Sequence, residues 1–159
     1  MLKRIVIALV VLFVVAQFVP RSIFPIGNPA VDETKTLEAQ AQKLTPQVAG
    51  ILNRSCRDCH SNKTSWPWYS KVAPVSWLLS HDVAEGRREL NMSEWAKYNP
   101  KRASHKLEEV CEQVDRGDMP MWYYRPLHPD AKLSDQDRRD ICGWAHAEQA
   151  ALGVPEGKR

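Results

Sequence analysis

Apolar positions recur along this chain at helical spacing, in segments separated by proline, glycine and polar residues. Thr45 followed by Pro46 is a cap and first-turn pair. It opens a short helix with Val48, Ile51 and Leu52 on one face, running up to Cys56. A second helix follows Pro74, where Val75, Leu78, Leu79 and Val83 fall at i, i+3, i+4 and i+8. Asn99-Pro100 starts a third, with Ala103, Leu107, Val110, Cys111 and Val114 on one stripe and Gly117 as its stop. Ser134 with Asp137 three residues later is a capping-box pair opening a fourth. Its buried face is Ile141, Cys142, Ala145 and Leu152, and Gly153 with Pro155 ends it. No run of alternating β-branched residues is long enough for a sheet. The pattern predicts an all-α domain whose loops hold the chemistry.

One segment breaks the amphipathic pattern. Lys3 and Arg4 precede a nearly unbroken apolar run from Ile5 to Ala16, the layout of a secretory n-region and h-region. Gln17, Phe18, Val19 and Pro20 offer no small-x-small cleavage site, which favours an uncleaved signal anchor over a removed signal peptide. Extended to Val19, the run approaches the roughly 17–25 residues that span a bilayer. Lys3 and Arg4 hold the N-terminus inside, so either reading exports the rest of the chain to the periplasm or beyond. Pro20, Pro25, Gly27, Asn28 and Pro29 then read as an extended tether.

Charge adds little. The formal net charge is +3, and Lys3, Arg4 and Arg21 account for all of it. The part from Ser22 onward is balanced and carries no basic stripe, which argues against nucleic acid as a partner.

The decisive chemistry is Cys56-Arg57-Asp58-Cys59-His60. C-x-x-C-H is the spacing of covalent haem attachment. Two cysteines on one helical turn can each form a thioether with a porphyrin vinyl group, and the adjacent histidine supplies the proximal iron ligand. A redox dithiol would want a βαβ context, and a structural zinc would want a second paired ligand set. Neither accompanies this motif. For the sixth position, Met119 in Gly117-Asp118-Met119-Pro120 is the leading candidate, with Met121 as the alternative. A thioether is soft and neutral, and favours ferrous iron. Met92 is a weaker candidate, His81 or His128 would give bis-histidine iron, and an open position is the remaining option. His105 and His146 read as surface residues.

Trp66, Trp68, Tyr69 and Trp77 bring unusual aromatic density close behind the motif. They are expected to wall the haem, with indole N–H and phenol O–H groups available to its propionates. Trp122, Tyr123 and Tyr124 would cover its other face. Arg87 is a candidate propionate partner, with Arg88, Lys101 and Arg102 behind it. Cys111 and Cys142 lie on the apolar stripes of two different helices and are either a disulfide or two buried thiols.

A longer pattern surrounds these residues. Cys56-x-x-Cys59-His60-Ser61-Asn62-x-Thr64-x-Trp66-Pro67-Trp68-Tyr69-Ser70 leads to Val72-Ala73-Pro74-Val75-Ser76-Trp77. Asp82-Val83-x-Glu85-Gly86-Arg87, Leu90-Asn91-x-Ser93-Glu94-Trp95, Gly117-x-Met119-Pro120 and His128-Pro129 follow. Over roughly residues 46–150 this resembles the bacterial haem-binding domain family of small exported proteins, itself similar to class I c-type cytochromes. Where that pattern runs Met-Pro-Pro, this chain has Met119-Pro120-Met121, and Met92 stands where it tends to have Phe. The expected organisation is a signal peptide or anchor over 1–20 and a tether and lead-in over 21–44. A cytochrome c-like haem domain over 45–153 and a tail over 154–159 complete it. The expected role is one-electron transfer with an unidentified redox partner protein, an electron carrier rather than a catalyst. A haem peroxidase or a gas or redox sensor with an open sixth site is the alternative.

Overall fold

The computed structural model describes residues 1–19, 23–24 and 26–154. The expected roles of Pro20 and Pro25 in the tether, of Pro155 beyond the last helix and of nearly all the tail fall outside those residues. The described residues are helical with no strand. Seven α-helices are present: α1 (Leu2–Ala16), α2 (Leu37–Gln40), α3 (Pro46–Ser55), α4 (Arg57–His60), α5 (Val75–Glu89), α6 (Pro100–Arg116) and α7 (Asp135–Ala151). Short 3-10 turns connect them, at Glu33–Lys35, Trp68–Lys71, Met92–Lys97 and Pro129–Ala131.

Helix starts follow local chemistry. The Thr45 hydroxyl accepts from Val48 N, the Asn99 side chain accepts from Arg102 N, and Ser134 and Asp137 cap α7 reciprocally. At the far end of α6, Gly117 takes φ +77°, and its N–H bonds Val114 O while Asp118 N bonds Gln113 O. This is a Schellman stop, a left-handed position that glycine fills without a Cβ penalty.

α6 and α7 pack along their length. Ala103 and Leu107 meet Trp144 and Ala145 in a core shared with Leu37, Val48, Leu52, Met92 and Trp95. A second cluster joins Ile51, Val114, Leu133 and Ile141. Cys111 and Cys142 form a disulfide across the α6–α7 seam, with Cα atoms 4.8 Å apart. The lead-in segment contributes directly to this core, since Thr36 and Leu37 are buried. Glu148 of α7, itself buried, accepts from the backbone N–H of Gln42 and Lys43 at 2.9 and 2.7 Å.

Two expectations need correction. The buried residues of α5 are Ser80, Val83 and Gly86, whereas Val75 and Leu78 are 41% and 47% exposed. The reason is close approach: α5 turns a ridge of small residues toward α4, and Gly86 touches Cys59. Of the stripe Val75, Leu78, Leu79 and Val83, only Val83 is buried. The other concerns α1. It has 15 residues, about 22 Å at 1.5 Å per residue against a hydrocarbon core of about 30 Å, and no helix among the described residues is long and apolar enough to cross a membrane. None of its side chains is buried. Just beyond it, the Gln17 amide pairs with both backbone groups of Ala73, at 3.0 and 3.1 Å, and Phe24 stacks on Trp77.

Candidate functional site

α3 delivers the chain to Cys56, whose carbonyl accepts from the N–H groups of Cys59 and His60 and winds α4 into one tight turn. That turn presents Cys56, Cys59 and His60 to a cavity of about 380 Å³. Across it lie Met119, Pro120, Met121 and Tyr124, from the loop after α6. The Schellman stop places this loop, because Gln113 O also accepts from Met119 N at 3.2 Å. Two phenols fasten it further: Tyr124 donates to Asp58 at 3.3 Å and Tyr123 to Asp82 at 3.2 Å. Leu37, Leu52, Met92, Trp95, Leu107 and Val114 make the cavity largely apolar.

The His60 ring is fixed by its partners. Nδ1 lies 2.9 Å from Gly86 O and 3.2 Å from Leu90 O. Carbonyls only accept, so Nδ1 carries the proton and Nε2 keeps its lone pair. Burial pushes the His60 pKa below the ordinary imidazole value, outweighing the two carbonyls that raise it. The result is a neutral imidazole of fixed tautomer, held by carbonyls at the negative end of α5, which is how a metal-binding histidine is oriented.

Cys56 and Cys59 are unpaired and half-buried. Burial pushes the Cys56 thiol up to about 12, with the neighbouring Cys59 adding to it. Burial, then the Asp82 and Asp58 carboxylates, push Cys59 up to about 12 as well. A reactive dithiol needs a depressed pKa, so this environment does not suit thioredoxin-like exchange. Among the described residues, no cluster of three or more His, Cys, Asp or Glu side chains is placed to hold a metal ion.

The remaining candidates divide cleanly. Met119 and Met121 both line the cavity, and the one proton of the Tyr123 hydroxyl is shared between Asp82 and the Met121 sulfur. Met92 also lines it but belongs to the buried core. His81 is exposed, and His128 is stacked on Tyr124 and bonded to Tyr69, outside the cavity wall. The expected aromatic wall is elsewhere too. Trp68 is 78% exposed, Trp66 donates to Asn28, Trp77 stacks on Phe24 and Tyr69 bonds His128, and none lines the cavity. Arg87 is likewise outside it. Its guanidinium is spent on Ser61 O, Gly27 O, Asn28 and Thr64, at 2.8–3.0 Å. It fastens the loop behind His60 to residues 27 and 28.

The family described as haem-binding domain matches residues 11–147 of the chain. The chain belongs to that family. This haem-binding domain protein is also similar to the cytochrome c peroxidase of Escherichia coli (strain K12), 26% identical over 121 residues. That match covers 72% of this chain and 25% of the relative, so the chain spans about a quarter of the curated protein's length. No solved structure matches it.

The cavity fits a haem on its own evidence. It joins two thiols, an imidazole lone pair and a thioether in one apolar enclosure. Trp144 also lines it. Trp144 is 5% exposed, and its Nε1–H has no partner among the described residues. Arg57 Nε is the other such atom, but Arg57 does not line the cavity. Sequence reasoning missed Trp144, although it falls at i+3 from Ile141 on the buried face of α7. It also missed Lys106, the single cationic side chain among the described cavity residues.

Proposed function

We propose that this protein is a covalent haem carrier that passes single electrons on the exported side of the cytoplasmic membrane. In this reading Cys56 and Cys59 form the two thioethers, and His60 Nε2 and the Met119 sulfur ligate the iron. The observation that carries it is the His60 tautomer: Nδ1–H is committed to Gly86 and Leu90 carbonyls, which leaves Nε2 as a neutral donor beside both thiols. Met119 is preferred over Met121 because it stands in the Gly117-x-Met119-Pro120 pattern and its N–H is fixed by Gln113 O at the cavity wall. Bound haem supplies a one-electron couple between ferric and ferrous iron, set largely by its axial ligands. The residues hold the ring, exclude water and keep His60 neutral. The apolar run with Lys3 and Arg4 before it supports export, which C-x-x-C-H chemistry and the Cys111–Cys142 disulfide both suit.

The test is simple. Protein made in a host with a c-type maturation system is denatured and extracted with acid acetone. Colour that stays with the polypeptide, and a mass increased by one haem, is the expected result; a colourless chain of bare mass refutes covalent attachment. A second reading, peroxidase or sensor chemistry, is favoured by the peroxidase relative. It would require an open iron site. The two separate in the oxidised spectrum: a far-red methionine-to-iron band marks the carrier, and ready CO or cyanide binding without it marks the alternative.

A further inference from the structure

We propose that Tyr69, His128 and Tyr124 form a latch that clamps the loop carrying Met119 onto the Cys56–His60 turn and so guards the sixth iron position. The inference rests on the carrier reading above, and names what separates a closed site from an open one.

The loop after α6 is anchored at its two ends. Gln113 O accepts from Met119 N at 3.2 Å, and Arg54 donates to Asp130 O at 2.7 Å. Between these points the backbone bonds to itself, Met121 O accepting from Tyr124 N and Tyr124 O from Leu127 N. Such turns set a local shape but do not press it against α4. Side chains do that. Tyr124 lines the cavity, and its phenol donates at 3.3 Å to Asp58, inside the Cys56–His60 turn. Its ring lies flat on His128, with centroids 3.8 Å apart and planes 8° from parallel. His128 Nδ1 is 3.1 Å from Tyr124 O. A carbonyl only accepts, so Nδ1 carries the proton, and the neutral ring keeps Nε2 as an acceptor. The Tyr69 hydroxyl donates to it at 3.1 Å.

Tyr69 belongs to the Trp68–Lys71 turn, nine residues after His60, so this bond joins the loop to the segment leaving the motif. The loop is therefore tied to the motif twice, through Asp58 within it and through Tyr69 behind it. Burial, then the Asp58 carboxylate, push both phenols above their ordinary pKa, which keeps both as donors. Neither Tyr69 nor His128 lines the cavity, so each acts through Tyr124 as a positioning residue. Local opening of the loop is the event that these bonds oppose.

The test is ligand entry. Cyanide is mixed with full-length, haem-loaded, oxidised protein in stopped flow, and at high concentration the rate levels off at the rate of loop opening. Tyr69→Phe deletes one hydroxyl and keeps the ring. Its limiting rate is expected about fivefold above wild type, the change that one ordinary hydrogen bond controls. His128→Phe keeps the stack, loses both bonds and rises at least as far. Both variants retain the far-red methionine band, because the loop is still closed most of the time. A faster limit beneath an intact band marks a loosened loop, and melting curves taken alongside separate it from a weakened fold. Wild-type limiting rates in both variants overturn the latch. If His128→Phe does not accumulate, Tyr69→Phe decides alone. Amide exchange at Tyr124, Leu127 and His128 reads the same bonds without any haem. Exchange about fivefold faster in Tyr69→Phe is expected, and equal exchange overturns the latch. A wild-type chain that carries no haem refutes the underlying reading instead, and the exchange contrast still judges the latch.

Discussion

Replacing Gly86 by alanine should destabilise this protein, against the usual rule for a helix. In an ordinary helix interior the change gains about 1 kcal/mol, because alanine has less backbone freedom to lose. At position 86 a Cβ would lie 2.6 Å from Cys59 O, 3.0 Å from its carbonyl carbon and 3.1 Å from its Cβ. Ordinary contact begins at 3.4 Å, so the α4 turn must retreat by about 0.8 Å, and backbone atoms cannot rotate aside. Overpacking of this kind costs about 1–3 kcal/mol. The same retreat lengthens the His60 Nδ1–H bond to Gly86 O, a further ~1 kcal/mol. The net expectation is a loss of about 1–3 kcal/mol, or roughly 2–12 °C in Tm at the ~2–4 °C per kcal/mol of a chain of this size. Thermal melts of the full chain by circular dichroism, with the disulfide intact, measure it. A Gly86→Ala variant melting at or above the wild type would refute the close-approach argument and the account of His60 built on it.

Other outcomes follow from the same geometry. Met119→Ala should abolish the far-red methionine band of the oxidised protein while Met121→Ala retains it, and optical spectra of the two variants check this. Removing the α6–α7 link with Cys111→Ala and Cys142→Ala together should cost about 2–4 kcal/mol, given the 31 residues it spans, read as a lower denaturant midpoint. Acid sensitivity should involve Asp137. Burial opposes its ionisation, but the Ser134 backbone N–H, the Arg54 guanidinium and the Ser134 hydroxyl outweigh it and hold its carboxyl below the usual range. A depressed carboxyl stabilises above its unfolded pKa, and that contribution fades as pH falls through the folded value. Asp137→Asn should therefore flatten the fall in Tm below about pH 4.

The sequence made the helices legible wherever caps and apolar stripes coincide. α6 and α7 are the clearest cases, because Asn99, Gly117, Ser134 and Asp137 act locally and need no tertiary partner. The Cys56–His60 turn was equally readable as a unit, since its two thiols and its imidazole do meet at one cavity. What stayed hidden depends on packing between distant segments. α5 buries small residues rather than its leucines, a choice set by how closely α4 approaches. The tryptophans behind the motif looked like a haem wall by proximity in sequence, yet Trp77 stacks on Phe24, Trp66 bonds Asn28 and Trp68 is exposed. The indole that does reach the cavity lies in α7, 84 residues after His60, where only the third dimension brings it near.

The stitches at Gln17, Gly27 and Asn28 give the N-terminal segment a mechanical meaning. A leash would let the domain tumble; the contacts of Gln17 with Ala73, and of Gly27 and Asn28 with Arg87 and Thr64, act as a handle. The end of α1 thereby keeps a set bearing to the cavity mouth.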